Sequence, residues 1–199
     1  MASSVAIGNR ALTKVGEARI QSLSDDLEAA RVISAAWDIL RDDELRAHNW
    51  GFAMTRASLA ALVSAPDWGF DRQFQLPSDC LRVVQVGEYW PGPSLTDYRG
   101  SADLMYRIER GKILTDLSAP LKIRYVARIE DTGSWDSAFV EAFACRLAME
   151  IAERITQSTS KRELAYGEYK RALSMAHRAN AIEKPPEPLA DDTWILSRL

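Results

Sequence analysis

The chain has 199 residues, of which 47% are hydrophobic and 27% charged, with 10 Gly and 8 Pro, and these proportions exclude the collagenous and disordered classes. A chain of this length buries roughly two thirds of the surface that its unfolded form exposes, so its core needs neither disulfides nor a metal. The net charge of −3, from 25 Lys and Arg against 28 Asp and Glu, supplies no strong positive field and argues against tight non-specific DNA binding.

Cys80 and Cys145 are the only cysteines. Without CxxC spacing they fit a reducing compartment and read as small buried apolar residues, and four zinc ligands never cluster. The opening segment is interrupted by Asn9, Arg10 and Lys14 before the apolar region of a signal peptide is complete. No segment approaches the roughly 20 apolar residues of a membrane span. A soluble, intracellular protein without contact to a membrane is therefore expected.

From Ser3 to Val15, Val5, Leu12 and Val15 recur among alanines, and Gly16 follows, which predicts a helix with a glycine end signal. Ser24 or Asp25 is the expected cap of a second, long helix. There Leu27, Ala30, Ile33, Trp37 and Leu40 recur every three or four residues, and Glu28, Arg31, Asp38, Arg41 and Asp42 take the other faces. That helix is expected to run to about His48. A third helical piece is predicted from Phe52 to Leu62, ending before Pro66.

Between Pro66 and Gly133 the chain turns to short β-rich runs, at Leu81–Val86, Leu104–Ile108, Lys112–Leu114 and Leu121–Ile129. In the last, Leu121, Ile123, Tyr125 and Ala127 alternate with Lys122, Arg124, Val126 and Arg128, the period of a strand with one wet face. Glu109-Arg110-Gly111-Lys112 predicts a hairpin turn. The prolines of Trp90-Pro91-Gly92-Pro93-Ser94 exclude it from a central strand. After Gly133 the helical period returns, with Ser134 or Asp136 as cap and a stripe of Val140, Phe143, Leu147, Ile151 and Ile155. A last helix, about Ser160 to Ile182, is expected to bury Ala165, Tyr169, Leu173 and Ala176.

The expected fold is α+β, mainly α. A helical bundle is built from both chain ends, residues 1–65 and 134–183, with a small antiparallel β-domain, 66–133, inserted in it and an extended C-terminal tail, 184–199. The tail holds the stiff spacer Pro185-Pro186-Glu187-Pro188 and then Asp191-Asp192-Thr193-Trp194-Ile195-Leu196. Trp194, Ile195 and Leu196 cannot form a core alone, so they are expected to dock in a partner's groove, against the alternative that they fold back on their own bundle.

Chemistry is sparse. His48 and His177 lack a partner pattern, and HExxH, GxSxG, GxGxxG and GxxxxGK[ST] are all missing, so no enzyme, no cofactor and no metal is expected. Cys145 with His177 is a conceivable pair that lacks any visible device to lower the thiol pKa. Asp42-Asp43-Glu44 reads as a solvated helix face, because consecutive helical residues point about 100° apart and cannot converge on a cation. Asp25-Asp26 is explained by capping. Arg107, Arg110, Lys112, Lys122, Arg124 and Arg128 make the β-domain locally basic.

Several segments, taken in order, resemble a known family. These are Ile7-Gly8-Asn9-Arg10-Ala11-Leu12, Gly16, Ile20 to Arg31, Trp37-Asp38, Arg41 to Ala53, Pro66 to Phe70, Leu76 to Val83, Ile123-Arg124-Tyr125, Phe139-Val140-Glu141-Ala142 and Ala148 to Thr156. Together they resemble the tail tubular protein A family of short-tailed phages, over nearly the whole chain. The resemblance implies a structural virion protein, a head-to-tail adaptor that forms a dodecameric ring between the portal and the tail nozzle. It also implies tail fibres attached near the lower joint, DNA passing through the lumen without specific binding, and assembly in the host cytoplasm into the neck of the virion. By the same resemblance the bundle would face the portal and neighbouring subunits, and the β-domain the nozzle. No catalytic residue carries over. The alternatives are a virion-associated cell-wall hydrolase, for which paired carboxylates are lacking, and a helical protein-interaction module unrelated to phage.

Overall fold

In the computed structural model, which describes residues 2–87 and 106–183, the glycine end signal of the first helix acts as its sequence predicts, and Ser3 caps the other end. The Ser3 hydroxyl accepts from the Ala6 amide at 3.2 Å, and Gly16 closes the far end at φ 77°, so α1 spans Ser4–Val15. Helix α2 spans Glu28–Ala47 and buries Ile33, Trp37, Leu40 and Leu45. Its expected cap is corrected. Leu27 occupies the N-cap without a side-chain bond, and the Asp25 carboxylate instead accepts from the Gln21 and Ser22 amides at 2.8 and 3.0 Å, which folds the preceding loop.

Helix α3, Ser137–Thr156, is capped by Asp136, whose carboxylate accepts from the Ala138 and Phe139 amides. Gln157, in a left-handed conformation, ends it, and α4 follows at once over Thr159–Ile182. The fold class is α+β, mainly α, with these four helices and two small antiparallel three-stranded sheets. No helix of the described residues is long and apolar enough to cross a membrane.

The described chain divides into two units, 2–53 with 128–183 and 54–87 with 106–127. The expected boundaries after 65 and 133 are corrected to lie after 53 and 127. The cause is β1, Met54–Leu59, where a helix was predicted from Phe52 to Leu62. Ala, Met and Leu favour helix locally, but β1 pairs over its whole length with β6, Leu121–Ala127, from Met54 opposite Val126 to Leu59 opposite Leu121, and the tertiary context prevails. Residues 128–133 belong to the helical unit, tied there by Arg128 on Asp42 at 2.7 Å and by the Thr132 hydroxyl on the Ala2 carbonyl at 2.7 Å.

In the helical unit α3 is the central element, burying nine residues between Phe139 and Ala152 and packing on α1, α2 and α4. Trp37, Trp135, Phe139 and Phe143 stack and tilt on one another with ring centroids 5.1–6.2 Å apart. Two asparagines splice loops to helices. Asn9 on α1 donates to the Ile20 carbonyl and accepts from its amide, at 2.9 and 2.8 Å, and Asn180 on α4 does the same for the Asn49 carbonyl and the Gly51 amide, at 3.1 and 2.7 Å.

In the other unit, the first sheet has the order β1-β6-β3, with β3 at Cys80–Val86. The second has the order β2-β5-β4, with β2 at Arg72–Gln75, β4 at Tyr106–Glu109 and β5 at Lys112–Thr115. The hairpin between β4 and β5 turns through Arg110 and Gly111 at φ 47° and 72°, the two positive values that a type I′ turn requires. Strand β2 escapes prediction because its one apolar residue, Phe74, sits among Arg72, Gln73 and Gln75. Phe74 is nonetheless fully buried. The loop at Trp90–Ser94 and the tail 184–199 lie outside the described residues.

Candidate functional site

The expected partner-binding residues Trp194, Ile195 and Leu196 fall outside the described residues, so the candidate surface is sought on the elements themselves. Among the described residues no group of three His, Cys, Asp or Glu side chains could hold a metal. The Asp42-Asp43-Glu44 run splits by function. Asp42 binds Arg41 and Arg128, whereas Glu44 points inward and is 6% exposed, so its reading as part of a solvated face is corrected. Arg41, expected on an outer face, is likewise buried against Asp38 and Asp42. The missed signal was periodicity: Glu44 continues the Ile33, Trp37, Leu40 stripe by one more turn.

Glu44 anchors α4. It accepts from the Tyr169 hydroxyl at 2.6 Å and lies 3.4 Å from Arg146 Nε, while its own backbone carbonyl accepts from the Trp50 indole at 2.9 Å. Burial pushes the Glu44 carboxyl above its usual range, and burial together with Glu44 raises the Tyr169 phenol. A second network joins α1 to α3 and α4. Lys14 contacts Glu141 at 2.9 Å and Glu168 at 3.3 Å, with Arg10 also on Glu141. Burial opposes the charge on Lys14, yet its two carboxylates prevail and hold it firmly protonated. Cys145 sits beside this network, its Sγ 3.9 Å from Glu141 Oε1, and burial pushes its thiol pKa up. That is the opposite of a nucleophile's environment.

His177 does not serve Cys145. It stacks on His48 with ring centroids 3.5 Å apart and planes at 17°, and the Trp50 ring abuts both. Burial first, and then the neighbouring His48, lower the His177 pKa. A pair 129 positions apart has no spacing signature.

With its inner side fixed by Ala165, Tyr169, Ala176 and Asn180, α4 turns the opposite side outward. Leu164, Met175 and Ile182 are 62%, 70% and 83% exposed, and their spacings of 11 and 7 residues put them on one line. Arg171 and Arg178 share that line and are exposed. Arg10, Arg31, Arg41, Arg128, Arg146, Arg154 and Arg162 in the same unit all hold carboxylates. Arg171 and Arg178 have no ion pair among the described residues. The helix carries five Lys and Arg against two Glu, in a chain whose overall charge is −3.

Two other surfaces are weaker candidates. An open groove of about 530 Å³ on α2 and α3, floored by Val32, Ala35, Ala36 and Ile39, is rimmed by Glu28, Arg31, Glu150 and Arg154, whose charges cancel. In the other unit Arg56 and Arg124 face each other across β1 and β6, with the exposed Lys122 two residues along the same face of β6, but Val126, expected on that wet face, is fully buried. Arg128, expected in that group, belongs instead to the helical unit and Asp42.

No protein-family model matches the chain, and no curated protein is significantly similar to it.

Proposed function

We propose that the chain is a structural head-to-tail adaptor of a short-tailed phage, assembling as a ring between the portal and the tail nozzle so that DNA can pass. The observation that carries this reading is the outward face of α4, a long apolar line with two arginines that no carboxylate holds among the described residues. An exposed apolar row flanked by unpaired cations on one face of a helix is surface that another protein can cover. The ordered resemblance to the tail tubular protein A family supplies the kind of assembly. In this role the portal and the nozzle are the partners, further copies of the chain complete the ring, and fibres join at its lower edge.

The polar rims of α1 to α3, occupied by paired charges, suit a subunit that associates weakly when free and strongly on a template. The chain is therefore expected to sediment as a monomer by itself and to form a ring when mixed with portal particles. The experiment is sedimentation and negative-stain microscopy of the chain with and without portal, with turbidity of cell walls as a second arm. Rings on the portal support the reading. No association with portal, or wall clearing by the pure chain that is lost on changing one carboxylate, overturns it.

A further inference from the structure

Ten residues, 187–196, carry Glu187, Asp191 and Asp192 with no Lys or Arg, and end in Trp194-Ile195-Leu196. This is the chemical complement of the α4 line, which sets Arg171 and Arg178 among Leu164, Met175 and Ile182. The dimensions also agree. From Leu164 to Ile182 the helix runs about 27 Å at 1.5 Å per residue, and ten extended residues span about 33 Å. We propose that residues 187–196 of one copy lie along the outer face of α4 of a second copy, with the acidic pair on Arg171 or Arg178 and Trp194 against Met175.

A second copy, rather than the chain's own α4, is the occupant for a geometrical reason. The segment follows α4 directly, and Pro185-Pro186-Glu187-Pro188 favours continuing outward, at about 3.1 Å per residue, over an immediate reversal. To lie on its own helix the segment would have to reverse within residues 183–186, where Pro185 and Pro186 stiffen the chain against a turn. Reaching a neighbour makes the contact heterologous, the kind that closes into a ring when repeated by rotation. A peptide-sized contact falls short of the roughly 1,200 Å² that a stable interface buries, so it reinforces a templated ring and does not build one unaided. The proposal rests on the ring-forming reading above for its setting, and on the α4 face for its substance.

The test uses the full chain, mixed in equal parts as natural-isotope and nitrogen-15 material without portal, at high protein concentration. A zero-length carbodiimide reagent joins carboxylates to nearby amines. Lys170, which lies 4.3 Å over the Tyr166 ring on α4, offers an amine beside Arg171, and the conservative Arg178→Lys variant places another on the line itself. Expected are cross-links from Asp191 or Asp192 to α4 that combine light and heavy peptides, and these should fall several-fold in Arg171→Glu/Arg178→Glu and in Met175→Asp. All three substitution sites are exposed, so circular dichroism should be unchanged, and a variant that lost its fold would be replaced by wild type at high salt, which screens the same pairs.

Cross-links confined to single-isotope peptides would assign the segment to its own chain and overturn the proposal. Cross-links to Lys122 on the basic sheet, or none at all, would overturn it too. Mixed-isotope cross-links combined with failure to join the portal would leave this contact standing and remove the adaptor reading; rings on the portal without the cross-links would do the reverse.

Discussion

Tyr169 is the residue through which α4 grips the rest of the helical unit, because its hydroxyl is the shortest hydrogen bond to the buried Glu44 carboxylate. Tyr169→Phe keeps the ring and removes the donor, and is expected to cost about 1–3 kcal/mol in urea unfolding, with no change in m-value. The stacked histidines predict a pH response. The folded state lowers the His177 pKa below 6.5, so the unfolded chain binds more protons as the pH falls through that value, and stability is lost downward from about pH 6.5. Glu44, raised above 4.5 when folded, acts in the opposite sense over its own range and gains stability as the pH falls. Melting temperatures compared at about pH 7.5 and about pH 5.5 isolate the histidine part, because His177→Gln should lose less stability than wild type over that interval. Neither pair was legible in the sequence. Contacts such as Tyr169 with Glu44 join helices far apart in the chain, and local spacing carries no trace of them.

Elements were legible where their ends carry a chemical marker. Ser3, Gly16 and Asp136 close helices as their residue types require, and Arg110-Gly111 turns the hairpin. Asp136→Ala should therefore lower stability by about 1 kcal/mol, read as a shift in the thermal midpoint, since two amides at the start of α3 lose their acceptor. Elements that depend on a distant partner were not legible. β1 is rich in helix formers and becomes a strand only because β6 lies alongside it. β2 has too little apolar content to be recognised until Phe74 is seen buried and Leu114 and Ile113 are seen across the ladder. The outer line of α4 stood in plain sight at its spacing of 11 and 7. It could be read as a docking surface only once the inner side of the helix was known.

For the whole molecule, a helical part drawn from both chain ends and a sheet part inserted between them in the sequence were legible, because composition changes sharply between Pro66 and Gly133. The boundaries were not, since they depend on pairing rather than composition. Removal of residues 185–199 is expected to leave the circular dichroism spectrum and melting temperature nearly unchanged while weakening assembly on the portal in a pull-down; unfolding of the shortened chain would show that Trp194, Ile195 and Leu196 are core.

The pairing of Met54 with Val126 brings the entrance and exit of the sheet unit side by side, about 5 Å apart at the Cα atoms. The 74 residues of 54–127 are in this sense a cassette, attached through two adjacent ends. Replacing them with a link of about four Gly and Ser residues between Ala53 and Arg128 should leave a helical protein that still melts cooperatively. Loss of cooperative melting would show that the helices need the sheets to fold. If the link is tolerated, evolution can lengthen, shorten or exchange the sheet portion without reworking the helices, and the two halves of the molecule are free to change at different rates.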